Sequence, residues 1–457
     1  MIPEKFLARM REMPDLDYPA FAAALETPAV RALRVNTGKT NSEKLIPVLP
    51  FSVSPLPFTE NAFYAPEDKV GALAAHHAGM FYMQDPGAIS TVCAAAPSEG
   101  LHVIDLCAAP GGKSTQLAAA IGDTGILVSN EYVTARCRIL QGNVERMGAK
   151  NTVVTNLDTA RLAAFYGACF DLVVADVPCS GEGMFRKYDV ATTEWSPENV
   201  TNCAIRQQEI LENAARLTAP GGRLLYSTCT FSPEENEQNI DGFLTAHPDF
   251  SLIPVDPQIH RFTADGVSFT GCTHDLTLCR RFYPHLSPGE GQFVALLQRS
   301  SAADAAAACP RDGLTAPDKK TAEAARVFLS ELLTDPPCGM RLTLLRDSLW
   351  LTPEIPVPST GIFAPGVCVG TLQKGRIEPH HQLASAYGKQ YRRQVGLTNS
   401  DPRTAAYLRG EEIPLTAAEC ANGNGYAAVL FEGAPLGGGK IVGDRLKNHY
   451  PKGLRNR

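Results

Sequence analysis

Leu101-His-Val103-Ile-Asp105-Leu-Cys107-Ala108-Ala109-Pro110-Gly111-Gly112-Lys113-Ser114 is the stretch around which the chain is organised. Its apolar start, Leu101 to Leu106, reads as a buried parallel strand bounded by a turn. Pro110-Gly111-Gly112 supplies the turn, and Gln116-Leu117-Ala118-Ala119 opens a helical pattern. Strand, glycine turn and helix start together present backbone N–H groups and a helix N-terminus to a ligand at the carboxyl end of a sheet. An ordinary strand-to-helix turn shares this pattern, because a lone glycine motif is weak. A phosphate-binding P-loop is excluded. Gly112-Lys113-Ser114 copies its last three residues, but Cys107 stands where that motif requires its first glycine.

Downstream, strand and helix alternate. Gly125 to Asn130 reads as a strand ending in Glu131, which lies 19 residues beyond Gly112. That is close to the ~20-residue offset at which an acid meets a ribose hydroxyl. Thr152 to Thr155 precedes Asn156 and Asp158, and Phe170 to Ala175 leads into Asp176-Val-Pro-Cys179-Ser-Gly181. Ser196-Pro197 starts a helix with Ser as N-cap and Pro at its first position. The helix carries apolar residues to Leu217 before Pro220-Gly-Gly222. Arg223 to Ser227 is a strand ending at Thr228-Cys229-Thr230, Ser232-Pro-Glu-Glu235 reads as a capping box, and Gly291 to Leu297 is a late strand. Asp105, Cys107, Glu131, Asp158, Asp176, Cys179 and Cys229 therefore stand at or just past strand ends. In a doubly wound α/β sheet these ends converge on one crevice.

The flanks differ. Residues 1–75 carry a small α+β pattern, with a helix over Tyr18–Leu25 and a strand over Arg31–Thr37. Arg31 and Arg34 suit either a solvated strand edge or phosphate contacts. The alternating core spans 76–299, and residues 300–320 have linker composition. Residues 321–385 show little periodicity. Residues 386–457 read as short strands with glycine turns, including Tyr407 to Gly410. From Lys440 onward six cations face one acid, Asp444, which describes either a solvated face or an RNA-binding one.

Whole-chain properties set the limits. A chain of 457 residues needs several cores, since single cores stop growing near ~250–300 residues. The net charge of −6 gives no global nucleic-acid signature, so any basic face is local. The start has early charges and no signal-peptide core, and no apolar run approaches a membrane span. Thirteen scattered cysteines without a C-x-x-C pair argue against zinc and disulfides and for a reducing cytoplasm.

Cysteines beside an acid suggest a chemistry. Cytosine C5 becomes nucleophilic only after something adds at C6, and a thiolate can do so. Asp176, Cys179 and Cys229 at adjacent strand ends offer a thiol and an acid for the base edge, although either thiol alone reads as a packing residue. Asp105-Leu-Cys-Ala-Ala-Pro-Gly-Gly-Lys113, Asp176-Val-Pro-Cys179-Ser-Gly and Ser227-Thr-Cys229-Thr resemble, in order and spacing, the signature motifs of the Nop/Sun family of RNA (cytosine-5) methyltransferases. Arg31–Thr37 is similar to that family's N-terminal RNA-binding segment. Gly437 to Arg457 resembles the PUA-like domain of its bacterial small-subunit rRNA members.

The resemblance implies a Rossmann-like S-adenosylmethionine-dependent core between a small N-terminal α+β RNA-binding domain and a C-terminal PUA-like domain. It implies Cys229 as the nucleophile at C6, Cys179 as the residue that releases the enzyme, and Asp176 on the cytosine edge. Cys107, Ala108, Ala109, Pro110, Gly111, Gly112 and Lys113 would bind S-adenosyl-L-methionine together with Glu131, Asp158 and Asp176. Glu131 would meet the ribose and Asp158 would lie near the adenine. Arg31, Arg34, Lys447, Lys452 and Arg455 are the candidate RNA contacts, and Glu182 to Glu194 reads as an exposed loop over the target nucleotide. The expected protein is a cytoplasmic monomer acting on 16S rRNA or the small ribosomal subunit, with no metal and no membrane. Three other readings stay open: a tRNA cytosine-5 methyltransferase, an exocyclic-nitrogen methyltransferase, and a non-catalytic assembly factor. Val177-Pro178-Cys179 lacks the Pro-Pro-aromatic motif of the second, and the two intact cysteines speak against the third.

Overall fold

The computed structural model describes all residues except 1, 67–68, 288, 305–309, 336, 338, 374–375, 422 and 457. Residues 305–309 of the expected linker thus lie outside the described residues. Near the N-terminus, β1 (Ala32–Val35), β2 (Ser54–Pro55), β3 (Ala62–Tyr64) and β4 (Phe81–Gln84) form a sheet of order β2-β3-β1-β4. β4 lies past residue 75 yet pairs with β1 from Ala32–Gln84 to Val35–Phe81. All four residues of β1 are buried, because elements cover both of its faces.

The central sheet is built from β5 (His102–Asp105), β6 (Ile126–Asn130), β7 (Thr152–Thr155), β8 (Phe170–Asp176), β9 (Thr218–Thr228), β10 (Phe250–Leu252), β11 (Ala264–Asp265), β12 (Arg280–Phe282) and β13 (Gln292–Arg299). Its order is β11-β12-β13-β9-β8-β5-β6-β7, with β10 also on β13. Strands β5 to β9 pair in parallel and β13 runs antiparallel to β9. Ile104, Val128, Val173 and Leu224 enter one hydrophobic cluster, while Val103, Leu127, Val174 and Leu225 enter another across the sheet. Both faces are covered, which is why these strands read as continuous apolar runs. The chain turns one way from β5 through β6 to β7 and the other way through β8 to β9. This reversal opens a crevice at the carboxyl ends of β5 and β8. The Rossmann-like expectation holds.

The region with little periodicity is well structured. Helix Lys319–Leu332 begins inside the expected linker, and β14 (Met340–Leu345) and β15 (Ser348–Pro353) follow it. Next, β16 (Ile362–Ala364) leaves its neighbours and pairs antiparallel with β7, extending the central sheet. β17 (Val367–Gln373) and β18 (Arg376–Pro379) complete a third sheet of order β14-β15-β17-β18. The last layer holds β19 (Gln394–Leu397), β20 (Ile413–Pro414), β21 (Gly425–Phe431), β22 (Ala434–Val442) and β23 (Arg445–Asn448), in the order β19-β21-β22-β23-β20.

Two expected elements are corrected. Tyr407 to Gly410 is the end of helix Pro402–Arg409, whose N-cap is Asp401 and whose C-cap Gly410 has φ +85°. Asp-Pro before it and Gly after it are the ordinary start and stop signals. The capping box at Ser232–Glu235 does not form. Helix Glu237–Ala246 starts later, with no side-chain cap, because the Glu235 carboxylate is used elsewhere. The N-terminal and last layers share one hydrophobic cluster, in which Leu33, Val35 and Phe81 pack with Val429, Leu436 and Tyr450. Among the described residues no helix is long and apolar enough to cross a membrane.

Candidate active site

The glycine turn after β5 is pinned from outside. Asn130 O accepts Ala108 N–H at 2.8 Å, Arg136 Nη2 donates to Ala109 O at 2.8 Å, and Asn143 Nδ2 donates to Pro110 O at 2.8 Å. Gly111 has φ +112°, a conformation that side chains other than glycine's strain to adopt, and a Cβ there would sit 3.2 Å from Leu140 Cδ1. Helix Gly112–Ala120 then points its N-terminus into the crevice. At the end of β5, Asp105 is fully buried. Ser114 Oγ donates to its Oδ2 at 2.6 Å, and Oδ1 has no partner. Burial pushes the Asp105 carboxyl up to about 7. Burial also raises the Cys107 thiol well above its ordinary value, with Asp105, Glu131 and Asp176 adding to the effect, so Cys107 stays a neutral thiol.

Glu131 follows β6 and is buried. Its Oε1 accepts Val133 N–H at 2.8 Å, while Oε2 has no hydrogen-bond partner and lies 3.6 Å from Arg136 Nη1. Asp158, half-buried past β7, caps helix Thr159–Tyr166 by accepting Arg161 N–H at 2.8 Å. Buried carboxyl oxygens left without a hydrogen bond at two neighbouring strand ends, beside a turn too tight for a Cβ, fit a cofactor with polar and cationic groups.

Across the crevice, β8 and β9 bring the reactive groups together. Asp176 Oδ2 accepts Lys113 Nζ at 2.8 Å and Oδ1 accepts Ser227 Oγ at 2.7 Å. Burial opposes charge on Lys113, but the Asp176 carboxylate more than offsets this and raises the ammonium above its usual range. The Cys179 and Cys229 sulfurs lie 3.2 Å apart, and both residues are partly accessible. Its hydrogen bond to Cys229, with burial second, raises the Cys179 thiol well above the ordinary value. Cys179 therefore keeps its proton, and either sulfur can be the donor in the contact between them.

Three expectations about side chains change. Arg34 is buried and donates to Gln84 Oε1 at 3.1 Å, Gly112 O at 3.1 Å and Thr115 Oγ1 at 2.9 Å. It ties the N-terminal sheet to the glycine turn and cannot contact RNA. Arg455 is half-buried and donates through Nε and Nη2 to Tyr450 O at 3.1 and 3.0 Å, so part of its guanidinium is engaged within the chain. Glu182, expected on an exposed loop, is fully buried. Arg31, Lys447 and Lys452 are on the surface.

Sequence reasoning also missed a polar layer beneath the two cysteines. Glu182 Oε1 accepts Trp195 Nε1 at 2.9 Å and Ser232 Oγ at 2.6 Å, and its Oε2 accepts Thr230 Oγ1 and Phe231 N–H, each at 2.8 Å. Glu235 Oε2 accepts Ser180 N–H at 3.0 Å and Gln207 Nε2 at 2.8 Å, and its Oε1 lies 2.5 Å from Ser180 Oγ. The available signal was an acid soon after each cysteine motif, Glu182 directly after the first and Glu235 five residues past Thr230.

Residues 92–298 match the family described as 16S rRNA methyltransferase RsmB/F. Residues 2–86 match the N-terminal domain of 16S rRNA methyltransferase RsmF, and residues 397–456 match the methyltransferase RsmF PUA domain. Ribosomal RNA small subunit methyltransferase F of Klebsiella pneumoniae is 33% identical, over 99% of this chain and 96% of that protein. The protein of the same name from Escherichia coli is 31% identical, over 99% and 96%. A solved methyltransferase homolog protein from Pyrococcus horikoshii is 26% identical, with a TM-score of 0.55 over 65% of this chain and 95% of that one.

Proposed function

The chain belongs to the ribosomal RNA small subunit methyltransferase F family, and on that premise we propose that it methylates C5 of a cytidine in 16S rRNA, using S-adenosylmethionine and a covalent cysteine adduct. The observation that carries the reading is the pair of sulfurs 3.2 Å apart beside Asp176, which Lys113 and Ser227 hold. The glycine turn from Cys107 to Lys113, with Glu131 and Asp158, would hold the cofactor, whose sulfonium supplies an electrophilic methyl group when bound.

The target base leaves its stack to reach the crevice. The Cys229 thiolate adds to C6, and the C5=C6 pair moves to C5, where the methyl group is accepted. Asp176 fixes the N3/N4 edge and favours the charge pattern of the adduct. Cys179 Sγ, after passing its own proton to solvent water, takes the C5 proton, so the one proton that the overall reaction yields ends in solvent. The C5–H pair then rebuilds C5=C6, the C6–S bond breaks, and Cys229 departs as a thiolate. Burial makes Cys179 a strong base for that step. Free thiols at the site suit a reducing cytoplasm. Lys447 and Lys452 on the last layer would meet the RNA backbone.

The two cysteines are unequal in this scheme, and denaturing gels with labelled RNA test it. Cys179→Ala accumulates enzyme joined to methylated RNA and shows a retarded band, whereas Cys229→Ala shows neither band nor methyl transfer. A band with Cys229→Ala would exchange the roles, and normal turnover of both variants would end the adduct mechanism.

A further inference from the structure

We infer that Glu235 is a positioning residue that, as the neutral acid, completes a directional chain of hydrogen bonds joining the Cys179 segment to the Cys229 segment. The inference rests on the cysteine chemistry proposed above and concerns how the two sulfurs are kept in register. Four oxygens stand in line. Glu235 Oε1 is 2.5 Å from Ser180 Oγ, Ser180 Oγ is 2.9 Å from Thr230 Oγ1, and Thr230 Oγ1 is 2.8 Å from Glu182 Oε2. Ser180 follows Cys179 and Thr230 follows Cys229, so this line is one side-chain stitch between the two segments, beside the sulfur pair and the bonds of Phe231 N–H and Ser232 Oγ to Glu182. Gly183 N–H, which donates to Cys229 O at 2.9 Å, is the backbone stitch.

Counting protons decides the state of the chain. Three contacts need three hydrogens, and the two hydroxyls supply two. If both carboxylates are ionised, one of the three contacts holds two oxygens together with no proton between them. With Glu235 protonated, every contact is made in one direction: Glu235 O–H to Ser180 Oγ, Ser180 O–H to Thr230 Oγ1, and Thr230 O–H to Glu182. Oε2 of Glu235 is then free to accept Ser180 N–H and Gln207 Nε2–H, as it does. Glu182 is the member left ionised, because its other partners are three donors.

The surroundings agree. Facing Glu235 are Glu182 from the turn, Cys179 from its own loop, Cys203 and Gln207 from the long helix, and Tyr226 from β9, whose hydroxyl donates to Glu235 O at 2.5 Å. Glu237, on the next helix, is engaged by the buried Arg281, and Arg206 lies on the exposed side of the long helix. Burial moves the Glu235 carboxyl up to about 7, with Glu182 adding to the shift. Deprotonation therefore removes one link near neutral pH and lets the two sulfurs part.

Glu235→Gln tests this, because an amide presents N–H toward Ser180 Oγ and C=O toward Ser180 N–H at every pH. Iodoacetamide labelling of Cys179 and Cys229, mapped by mass spectrometry from pH 5.5 to 8.5 without RNA, reads the register directly. In the wild type, labelling of Cys179 should carry an extra rise of roughly fivefold centred near pH 7, about the equilibrium factor of one ordinary hydrogen bond. Glu235→Gln should lack that rise and label slowly throughout, while Glu235→Ala should label fast throughout. Superimposable wild-type and Gln profiles would overturn the inference. The RNA-adduct gels judge the cysteine mechanism separately, so either can fail alone.

Discussion

Asp105→Asn should change how the stability of the protein depends on pH. In the folded chain Asp105 is buried at the end of β5. Its Oδ2 accepts Ser114 Oγ and its Oδ1 has no partner. Burial, more than the repulsion from Asp176, moves the carboxyl from 3.8 to about 7. The folded state therefore holds a proton that the unfolded chain has already released. Stability is highest below about pH 4 and falls as pH rises through the window up to 7, the reverse of the usual buried, paired carboxylate. About three units at 1.36 kcal/mol each give roughly 4 kcal/mol as the full effect of this group. Asparagine keeps the shape, accepts Ser114 and does not titrate. Denaturant unfolding at half-unit steps from pH 4.5 to 8, without cofactor, should show the wild type losing stability relative to Asp105→Asn over that window. Glu235 titrates in both proteins and cancels in the difference. Parallel curves for the two proteins would mean that Asp105 is ionised in the folded state and that the burial argument is wrong.

The strand-end assignments make two further predictions. Glu131→Ala and Asp158→Ala should each weaken S-adenosylmethionine binding, by calorimetry, on the scale of a lost buried hydrogen bond, ~1–3 kcal/mol or up to about a hundredfold. Asp158→Ala should also lower stability by about 1 kcal/mol because it uncaps helix Thr159–Tyr166, whereas wild-type affinity in both variants would remove these residues from the cofactor site. Neutralising Lys447 and Lys452 together should lower the slope of RNA affinity against salt by somewhat under ~2, with cofactor affinity unchanged, and an unchanged slope would make this face merely solvated.

The central sheet was legible because its strands are buried on both faces and show as apolar runs, each ending in a chemically distinctive residue. Asp176, Cys179 and Cys229 could be grouped from sequence for the same reason: parallel strands deliver their carboxyl ends to one edge. The polar layer below them was hidden. Glu235 stands in a Ser-Pro-Glu-Glu pattern that serves equally well as a helix start, and only the tertiary fold decides between cap and buried network. Arg34 misled for a related reason. Alternation in Arg31–Thr37 marked it as outward-facing, but the glycine turn covers that outer face, and a guanidinium has enough donors to be satisfied there. Between residues 321 and 385 the strands are short and β16 belongs to another sheet, so no single period could be read.

The C-terminal region is built into the β7 edge of the central sheet. β16 pairs with β7, and its approach is fixed by Gly361, whose carbonyl accepts Asn156 N–H at 2.7 Å and whose φ is +71°. A Cβ on Gly361 would meet Leu157 Cδ2 at 2.5 Å, so only glycine lets the two chains close here. Arg161 Nη2 donates to Thr360 Oγ1 at 2.8 Å on the helix that Asp158 caps. Asn156 reaches back through Nδ2 to the carbonyls of Glu131 and Tyr132, at 2.6 and 2.8 Å. Buried Lys39 Nζ lies 2.9–3.1 Å from Ala78 O, Arg146 O, Ser385 Oγ and Pro435 O, so one amino group is shared among four acceptors that span the N-terminal, central and last layers. Cutting the chain within residues 300–320 would therefore expose the β7 edge beside Asn156 and Asp158. It would also halve the core shared by the first and last layers. The layers are thus tied to one another by shared apolar packing and a few short hydrogen bonds.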